Sequence, residues 1–221
     1  EVPDWYLKSV PSSAESGTVE GMEKAAKDLG DKHSWAQPLW LQHWAAEHRA
    51  CREGVMVLDM SFMSKFQVIG RDSGKCLNRL CTADVDGPVD TITYTQMLNE
   101  DGKLEADITV IKEAPNAFTV IATDTMHRHV EAHLQRYLDP EGVNAVVVTD
   151  VTGAFAQLNV QGPNSRALMQ AVAKRSAGPH ADESVALSMS NDNFPFRCAR
   201  EMPIGLARVR CARITYVGEL G

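Results

Sequence analysis

The sequence lacks the features that would assign it at once to a membrane, a nucleotide or a nucleic acid. It has no apolar run of about 18 residues, so no transmembrane helix is predicted. It also lacks the Gly-x-Gly-x-x-Gly fingerprint, the P-loop and the Gly-x-Ser-x-Gly elbow, which excludes those devices for binding phosphates or presenting a nucleophilic serine. The formal net charge of −7 argues against nucleic acid as the main partner.

The spacing of the cysteines fits no metal or disulfide framework. The chain has 5 cysteines, an odd number, without the paired spacing of a zinc site or a small disulfide-rich domain. We therefore interpret them as reduced thiols. They are Cys51, Cys76, Cys81, Cys198 and Cys211.

The remaining composition is that of a globular protein. The 221 residues are 44% hydrophobic and 23% charged, enough for one large core or two small ones. Apolar alternation predicts strands, and helical periodicity predicts helices. The predicted strands cover 55–61, 65–70, 93–98, 106–111, 118–122, 143–150, 156–160 and 205–217, and the predicted helices cover 19–29, 41–54, 72–80, 125–138 and 164–173. Strands and helices mixed with many hairpins predict an α+β fold with mostly antiparallel sheets.

Three segments are expected along the chain. Residues 1–40 are punctuated by Pro, Gly and Ser, yet they are rich in tryptophan, which a disordered tail would not be. We therefore expect an aromatic-rich linker arm there that wraps over a surface. Residues 41–140 and 141–221 repeat a strand–strand–helix order, which predicts two subdomains joined near Pro140-Glu141-Gly142.

Two histidines raise the question of a metal. His129 and His133 lie four residues apart on the helix predicted over 125–138, so they share one face of it. The sequence shows no third ligand. We favour the alternative, in which both are polar residues of an amphipathic helix, and we expect no metal site.

A carboxylate interrupts one predicted strand. Asp107 lies among the apolar residues of 106–111, where a carboxylate is costly to bury unless it is paired or functional. The pattern leaves two alternatives open, a solvent-facing Asp107 and a catalytic one. Asp59, at the end of another apolar run, is interpreted as a cap of the turn that follows it.

Several sequence blocks occur together and in order, at residues 47–55, 58–66, 83–85, 94–99, 159–163 and 216–221. With them the chain resembles, over roughly residues 40–221, the tetrahydrofolate-binding domain of the glycine-cleavage T-protein (aminomethyltransferase) family. The blocks from Met60 to Phe66 and from Gly218 to Gly221 are most similar to one branch of it, which contains mitochondrial sarcosine dehydrogenase, dimethylglycine dehydrogenase and the regulatory subunit of pyruvate dehydrogenase phosphatase.

The resemblance implies a T-protein-like fold that is incomplete at the C-terminus, with the rest of the folate domain expected downstream. It also implies an FAD-binding, amine-oxidising domain upstream of this chain, which would be its partner. The implied activity is capture of the one-carbon unit of an N-methyl amine, sarcosine or dimethylglycine, as 5,10-methylenetetrahydrofolate. Tetrahydrofolate is thus the expected cofactor and small-molecule partner, and the mitochondrial matrix is the expected location.

The resemblance also implies roles for individual residues. By motif position, Glu219 is similar to the pterin-binding glutamate of the family, whose carboxylate can accept paired bonds from pterin N–H groups. The first of two family aspartates, the catalytic one, is replaced by Ala106, which leaves Asp107 as the acid/base candidate. Thr123 stands where the family has a folate-contacting asparagine. The other implied pocket residues are Tyr94, Met60, Met97 and Tyr216, and for Tyr94, Met60 and Met97 ordinary core packing is the open alternative.

Two other functions stay open. One is a non-catalytic regulatory protein of the same fold, like the phosphatase regulatory subunit, which the stretches 86–89 and 99–100 slightly favour. The other is a true aminomethyltransferase, which Ala106 disfavours.

Overall fold

The computed structural model describes residues 41–176, 188–204 and 206–215. The chain divides into two units, residues 1–52 and 53–221. The first unit contains nearly all of helix α1, Leu41–Glu53, which confirms the helix predicted at 41–54. The predicted helix at 19–29 and the proposed arm at 1–40 lie outside the described residues. No helix of the described part is long and apolar enough to cross a membrane.

The described part of the second unit alternates short helices with antiparallel strands. The strands are β1 Met56–Asp59, β2 Ser64–Ile69, β3 Ile92–Leu98, β4 Leu104–Ala114, β5 Ala117–Ala122, β6 Val147–Asp150, β7 Leu158–Gln161, β8 Ala199–Ile204 and β9 Ala207–Ala212, and the helices are α2 Ser73–Leu80, α3 His127–Tyr137 and α4 Ser165–Ser176. Short 3₁₀ turns at Asp124–Met126 and Thr152–Ala154 precede α3 and follow β6. The predicted α+β class with mostly antiparallel sheets is confirmed.

A five-stranded sheet forms the centre of this unit. Its strand order is β3-β4-β5-β2-β6, and every neighbouring pair is antiparallel. The turn between β3 and β4 is the expected Asp-Gly turn, because Gly102 adopts a φ of +74° that other residues disfavour. The Asn99 side chain supports the turn by accepting hydrogen bonds from the backbone N–H groups of Asp101 and Lys103, at 3.0 and 2.9 Å.

Strand β6 joins this sheet from beyond residue 140. It pairs with β2, with Phe66 opposite Asp150 and Val68 opposite Val148. The subdomain boundary near residue 140 stays a prediction, and the sheet of the first predicted subdomain takes its edge strand from the second.

The two faces of the sheet differ in character. One face, together with α2 and α3, makes the main core, in which Phe66, Val68, Ile108, Phe118 and Val120 are at most 1% exposed. The second face, which we call the open face, carries the alternate residues of the same strands because successive side chains of a strand point to opposite sides. The open face is formed by Lys65, Gln67, Tyr94, Gln96, Asp107, Thr109 and Ile121.

Strands β8 and β9 form a hairpin beside the sheet. They pair along their whole length, and an isolated bridge joins Cys198 to Thr91, just before β3. Arg210 of β9 anchors the hairpin electrostatically, with Nη2 2.6 Å from Asp90 Oδ1 and Nε 2.9 Å from Glu113 Oε2. A second, smaller core underlies the hairpin and α4, and it is built from Ala173, Met189, Phe194 and Met202.

The structure departs from the expectations of the sequence at three places. Strand β8 at 199–204 was not predicted; it contains Arg, Glu and Pro203, and proline cannot donate to a sheet ladder, so the segment does not resemble a strand. The strand expected at 143–150 begins only at Val147. Asp72 occupies the N-cap position of α2 without a capping bond, because its Oδ2 accepts the Ala145 N–H at 2.8 Å instead.

All five cysteines are free thiols, as predicted. Burial raises the pKa of the Cys81 thiol to about 12 and also raises the pKa of Cys211. Both thiols are therefore held in the unreactive protonated form at neutral pH.

Candidate functional site

Tyr94 and Asp107 form a polar pair on the open face. Tyr94 Oη donates a hydrogen bond to Asp107 Oδ2 at 3.2 Å, and both residues are exposed, Tyr94 to 57%. The β3–β4 register explains the contact, because Gln96 lies opposite Asp107 and Tyr94 is its diagonal neighbour on the same face. The sequence left a solvent-facing Asp107 and a catalytic one as alternatives; the structure makes it solvent-facing and pairs it with an aromatic hydroxyl.

Thr123 continues the same cross-strand row. It directly follows β5, and extending the β4–β5 register by two residues places it opposite Asp107. Extending the β2–β5 register by one residue places Met63 opposite Thr123. The row along this edge of the open face is therefore Gln96, Asp107, Thr123 and Met63. This row therefore brings together two of the predicted site residues, Asp107 and Thr123.

A buried lysine holds the turn that borders this row. Lys65 is only 4% exposed, and its Nζ donates to the backbone carbonyls of Ser61 at 3.0 Å and Met63 at 2.8 Å. Desolvation lowers the pKa of Lys65, and the charges of Asp150 and Asp59 oppose that shift. The ammonium therefore fixes the path of residues 61–63 at the end of the open face nearest to Thr123.

Asp59 and Met60 belong to the start of that turn. Asp59 Oδ1 accepts the Ser61 N–H at 2.9 Å, so Asp59 caps the turn as predicted. Hydrogen bonds from Ser61 lower the pKa of the Asp59 carboxyl. Met60 is half-buried, and its N–H donates to the Gln157 carbonyl at 2.8 Å, which fixes its backbone between β1 and the segment before β7.

Met97 lies on the other side of the sheet. Its side chain is fully buried in the main core, because residues three apart on a strand, such as Tyr94 and Met97, point to opposite faces. The core-packing alternative that the sequence left open therefore describes Met97. Ala106 is buried on that core face as well. Tyr216 and Glu219 lie outside the described residues.

Sequence reasoning missed Gln96, Met63 and Lys65. Gln96 could have been found from the hairpin register, because the Asp-Gly turn at residues 101–102 fixes which residues of the two strands face each other. Met63 and Lys65 lie two residues apart, so the alternation of β2 places both on the same face of the sheet. The burial of the Lys65 ammonium has no sequence signal.

The histidine pair of α3 contacts a carboxylate of the sheet. His129 Nε2 lies 2.6 Å from Glu105 Oε2, which ties α3 to β4. His133 is 6% exposed and packs against the ring of Tyr137 at a centroid distance of 4.9 Å. Among the described residues, no group of three or more His, Cys, Asp or Glu side chains is arranged to hold a metal ion.

The arrangement of sheets and helices is similar to that of a solved aminomethyltransferase. The glycine-cleavage aminomethyltransferase T of Bartonella henselae has a similar structure, with a TM-score of 0.57 at 21% sequence identity over 79% of this chain and 42% of that one. That likeness concerns the fold. The chain itself belongs to the GCVT N-terminal domain family, whose model matches residues 1–221.

The relatives include members of the branch expected from the sequence. Human mitochondrial sarcosine dehydrogenase is 29% identical over 206 residues, which cover 87% of this chain and 21% of that protein. The mouse mitochondrial pyruvate dehydrogenase phosphatase regulatory subunit is 31% identical over 196 residues, again 87% of this chain and 21% of that protein. The resemblance to the T-protein family and to this branch is confirmed. The chain spans about a fifth of the length of these relatives.

Proposed function

We propose that this chain is the tetrahydrofolate-binding part of an FAD-dependent N-methyl amine dehydrogenase, acting on sarcosine or dimethylglycine in the mitochondrial matrix. The observation that carries the proposal is the solvent-exposed Tyr94–Asp107 hydrogen bond on the open face. Family membership and the similarity to sarcosine dehydrogenase support it. The flavin would be held elsewhere in the whole protein.

The open face fits a flat ligand with N–H donors. Tyr94 offers an exposed aromatic ring for stacking, and Asp107 offers a carboxylate for hydrogen bonds. The Thr123 hydroxyl and the Gln96 side-chain amide add polar groups to the same row. By resemblance, Glu219 and Tyr216 would complete the pterin contacts, Met60 would border them, and the predicted pocket role of Met97 would be limited to supporting the sheet from its core side.

Asp107 is the residue proposed to move a proton. When bound, tetrahydrofolate supplies the nitrogen nucleophiles that take up the one-carbon unit. The bond from Tyr94 occupies Asp107 Oδ2 and orients the carboxylate, which leaves Oδ1 to accept or return a proton at a ligand nitrogen.

Titration of the full-length protein with tetrahydrofolate tests the proposal. We expect the variant Asp107→Asn to keep most of the binding and to lose roughly 100-fold or more in methylenetetrahydrofolate formation, as is usual for loss of an acid/base group. Tyr94→Phe keeps the aromatic ring, so it should preserve most of the binding, and it should lower the rate by less than Asp107→Asn does because only the bond that orients the carboxylate is lost. Asp101→Asn is the matched control, because Asp101 lies in the exposed turn of the same hairpin. Unchanged product formation in Asp107→Asn would overturn the proposed role.

The similarity to the phosphatase regulatory subunit favours one other function. Under this hypothesis the chain keeps the fold of the family and belongs to a regulatory protein that catalyses no reaction. Amine-dependent reduction of an electron-accepting dye by the full-length protein separates the two, since a purely regulatory protein shows none. A true aminomethyltransferase would instead require a lipoyl carrier protein for turnover.

A further inference from the structure

The segment that surrounds the second core is basic within an acidic chain. Residues 188–215 contain 5 arginines and 2 acidic residues, while the whole chain has a formal net charge of −7. Two of these arginines have carboxylate partners, Arg208 with Glu201 and Arg210 with Asp90 and Glu113. The remaining positive charge of the segment lies on Arg197, Arg200 and Arg213.

Two guanidinium groups converge on one neutral oxygen at the edge of this segment. Arg213 Nη2 donates to Asn191 Oδ1 at 2.8 Å, and Arg166 Nη2, from the first turn of α4, donates to the same oxygen at 3.0 Å. Arg213 is 8% exposed, and its Nη1 donates to the Phe194 carbonyl at 2.6 Å. Among the ion pairs of the described residues, none involves Arg166 or Arg213.

This arrangement holds like charges close together, and no carboxylate of residues 41–176, 188–204 or 206–215 forms an ion pair with Arg166 or Arg213. Desolvation lowers the pKa of Arg213, and the neighbouring charge of Arg166 lowers it further. Arg200 adds a third positive charge nearby, since its Nη1 donates to the Asn193 carbonyl at 2.9 Å. All of these groups favour a negatively charged acceptor.

We propose that Arg166 and Arg213 form a binding site for an oxyanion, a carboxylate or phosphate group, at the junction of α4 and the 188–197 loop, and that Asn191 covers this site in the free protein. Asn191 Oδ1 stands where one oxygen of that anion would lie. Asn191 is exposed, so its side chain can rotate away and give both guanidinium groups to the ligand. The proposal is independent of folate binding, because none of these residues belongs to the open face.

Anion-dependent thermal stability of the full chain tests this site. The probes are inorganic phosphate and glutarate, each titrated at constant ionic strength against chloride. We expect a saturable rise in melting temperature with at least one of them, and the more effective probe identifies the class of anion. Arg166→Gln should weaken the apparent affinity by about tenfold, as expected for the loss of one charge-assisted hydrogen bond.

Two further variants make the result specific. Asn191→Asp places a fixed carboxylate between the arginines, so it should raise the melting temperature without added anion and abolish the response to phosphate. Arg208→Gln removes the same charge at an exposed position of β9 and should leave the affinity unchanged. The absence of a saturable response to both anions overturns the proposal, and so does an equal loss of affinity in Arg208→Gln and Arg166→Gln.

Discussion

The ammonium of Lys65 and the backbone carbonyl of Met63 form a 2.8 Å hydrogen bond beneath the edge of the open face. Donor and acceptor belong to residues two apart along the chain, so the bond closes the turn that leads into β2. A second bond from the same Nζ to Ser61 makes this ammonium the main support of the turn.

Replacement of this lysine should destabilise the protein. In Lys65→Met the side chain keeps its apolar stem, while the carbonyls of Ser61 and Met63 lose a charged donor. We expect a fall of about 1.5–3 kcal/mol in the free energy of unfolding, measured by urea denaturation. The control Lys103→Met removes an exposed lysine and should cost less than about 0.5 kcal/mol. Equal losses in both variants would contradict a special role for Lys65.

The main core should depend strongly on the aromatic residue at the centre of β2. Phe66 is fully buried, and its truncation in Phe66→Ala removes contacts with both neighbouring strands. We expect a loss of about 3–5 kcal/mol in the free energy of unfolding. Phe155→Ala, at a residue that is 53% exposed, should cost less than about 1 kcal/mol in the same measurement. A small loss in Phe66→Ala would show that the core is less tightly packed than described.

Two glycines should respond in opposite ways to the same substitution. Gly70 adopts a φ of +145°, and a Cβ added there would lie 2.0 Å from the Ala145 carbonyl oxygen, so Gly70→Ala should destabilise by more than about 2 kcal/mol. Gly87 has open space around an added Cβ, and Gly87→Ala should stabilise by about 0.4–1 kcal/mol through the unfolded chain. Thermal denaturation of both variants checks the difference in sign.

Part of the acid sensitivity should arise from His133. Burial lowers the pKa of this imidazole below its usual 6.5, with the Glu105 charge opposing the shift and His129 adding to it. The unfolded chain therefore binds a proton near pH 6.5 that the folded chain binds only at lower pH, so stability falls as the pH drops through this window.

The variant His133→Phe should flatten that dependence. The imidazole Nε2 has no hydrogen-bond partner within the described residues, so an apolar ring of similar size suits the site. The difference in unfolding free energy between pH 7 and pH 5 should shrink relative to the parent protein. Substitution of the exposed His48 by Phe should leave the difference as it was, and a parent-like slope in His133→Phe would refute the assignment.

The sequence was a good guide wherever local signals were strong. Alternation and the Asp-Gly turn predicted β3, β4 and β5, because side-chain period and turn chemistry are local properties. The position of β6 beside β2 could not be predicted from the sequence, because pairing between strands about 80 residues apart is decided by tertiary packing. Strand β8 was not predicted because Pro203 argues against a strand, whereas the ladder of this two-stranded hairpin tolerates it.

The candidate site was predictable in its residue types and less so in its geometry. Asp107 and Thr123 were found through motif position, and the register brings them into one row with Gln96. Met97 was assigned to the pocket together with Tyr94, although the two residues are three apart on one strand. A side-chain period of two puts such residues on opposite faces, so the sequence alone already favours the core for Met97.

The sheet order has a consequence for the folding of the protein during its synthesis on the ribosome. Strand β2 is made before its two neighbours, β5 and β6, which follow roughly 50 and 80 residues later. Until then Phe66 and Val68 have no partner strand, and non-local pairing of this kind is slow to form. The nascent chain thus presents a hydrophobic, unpaired strand while the segment up to β5 is made, a period in which chaperone binding or aggregation would compete with folding.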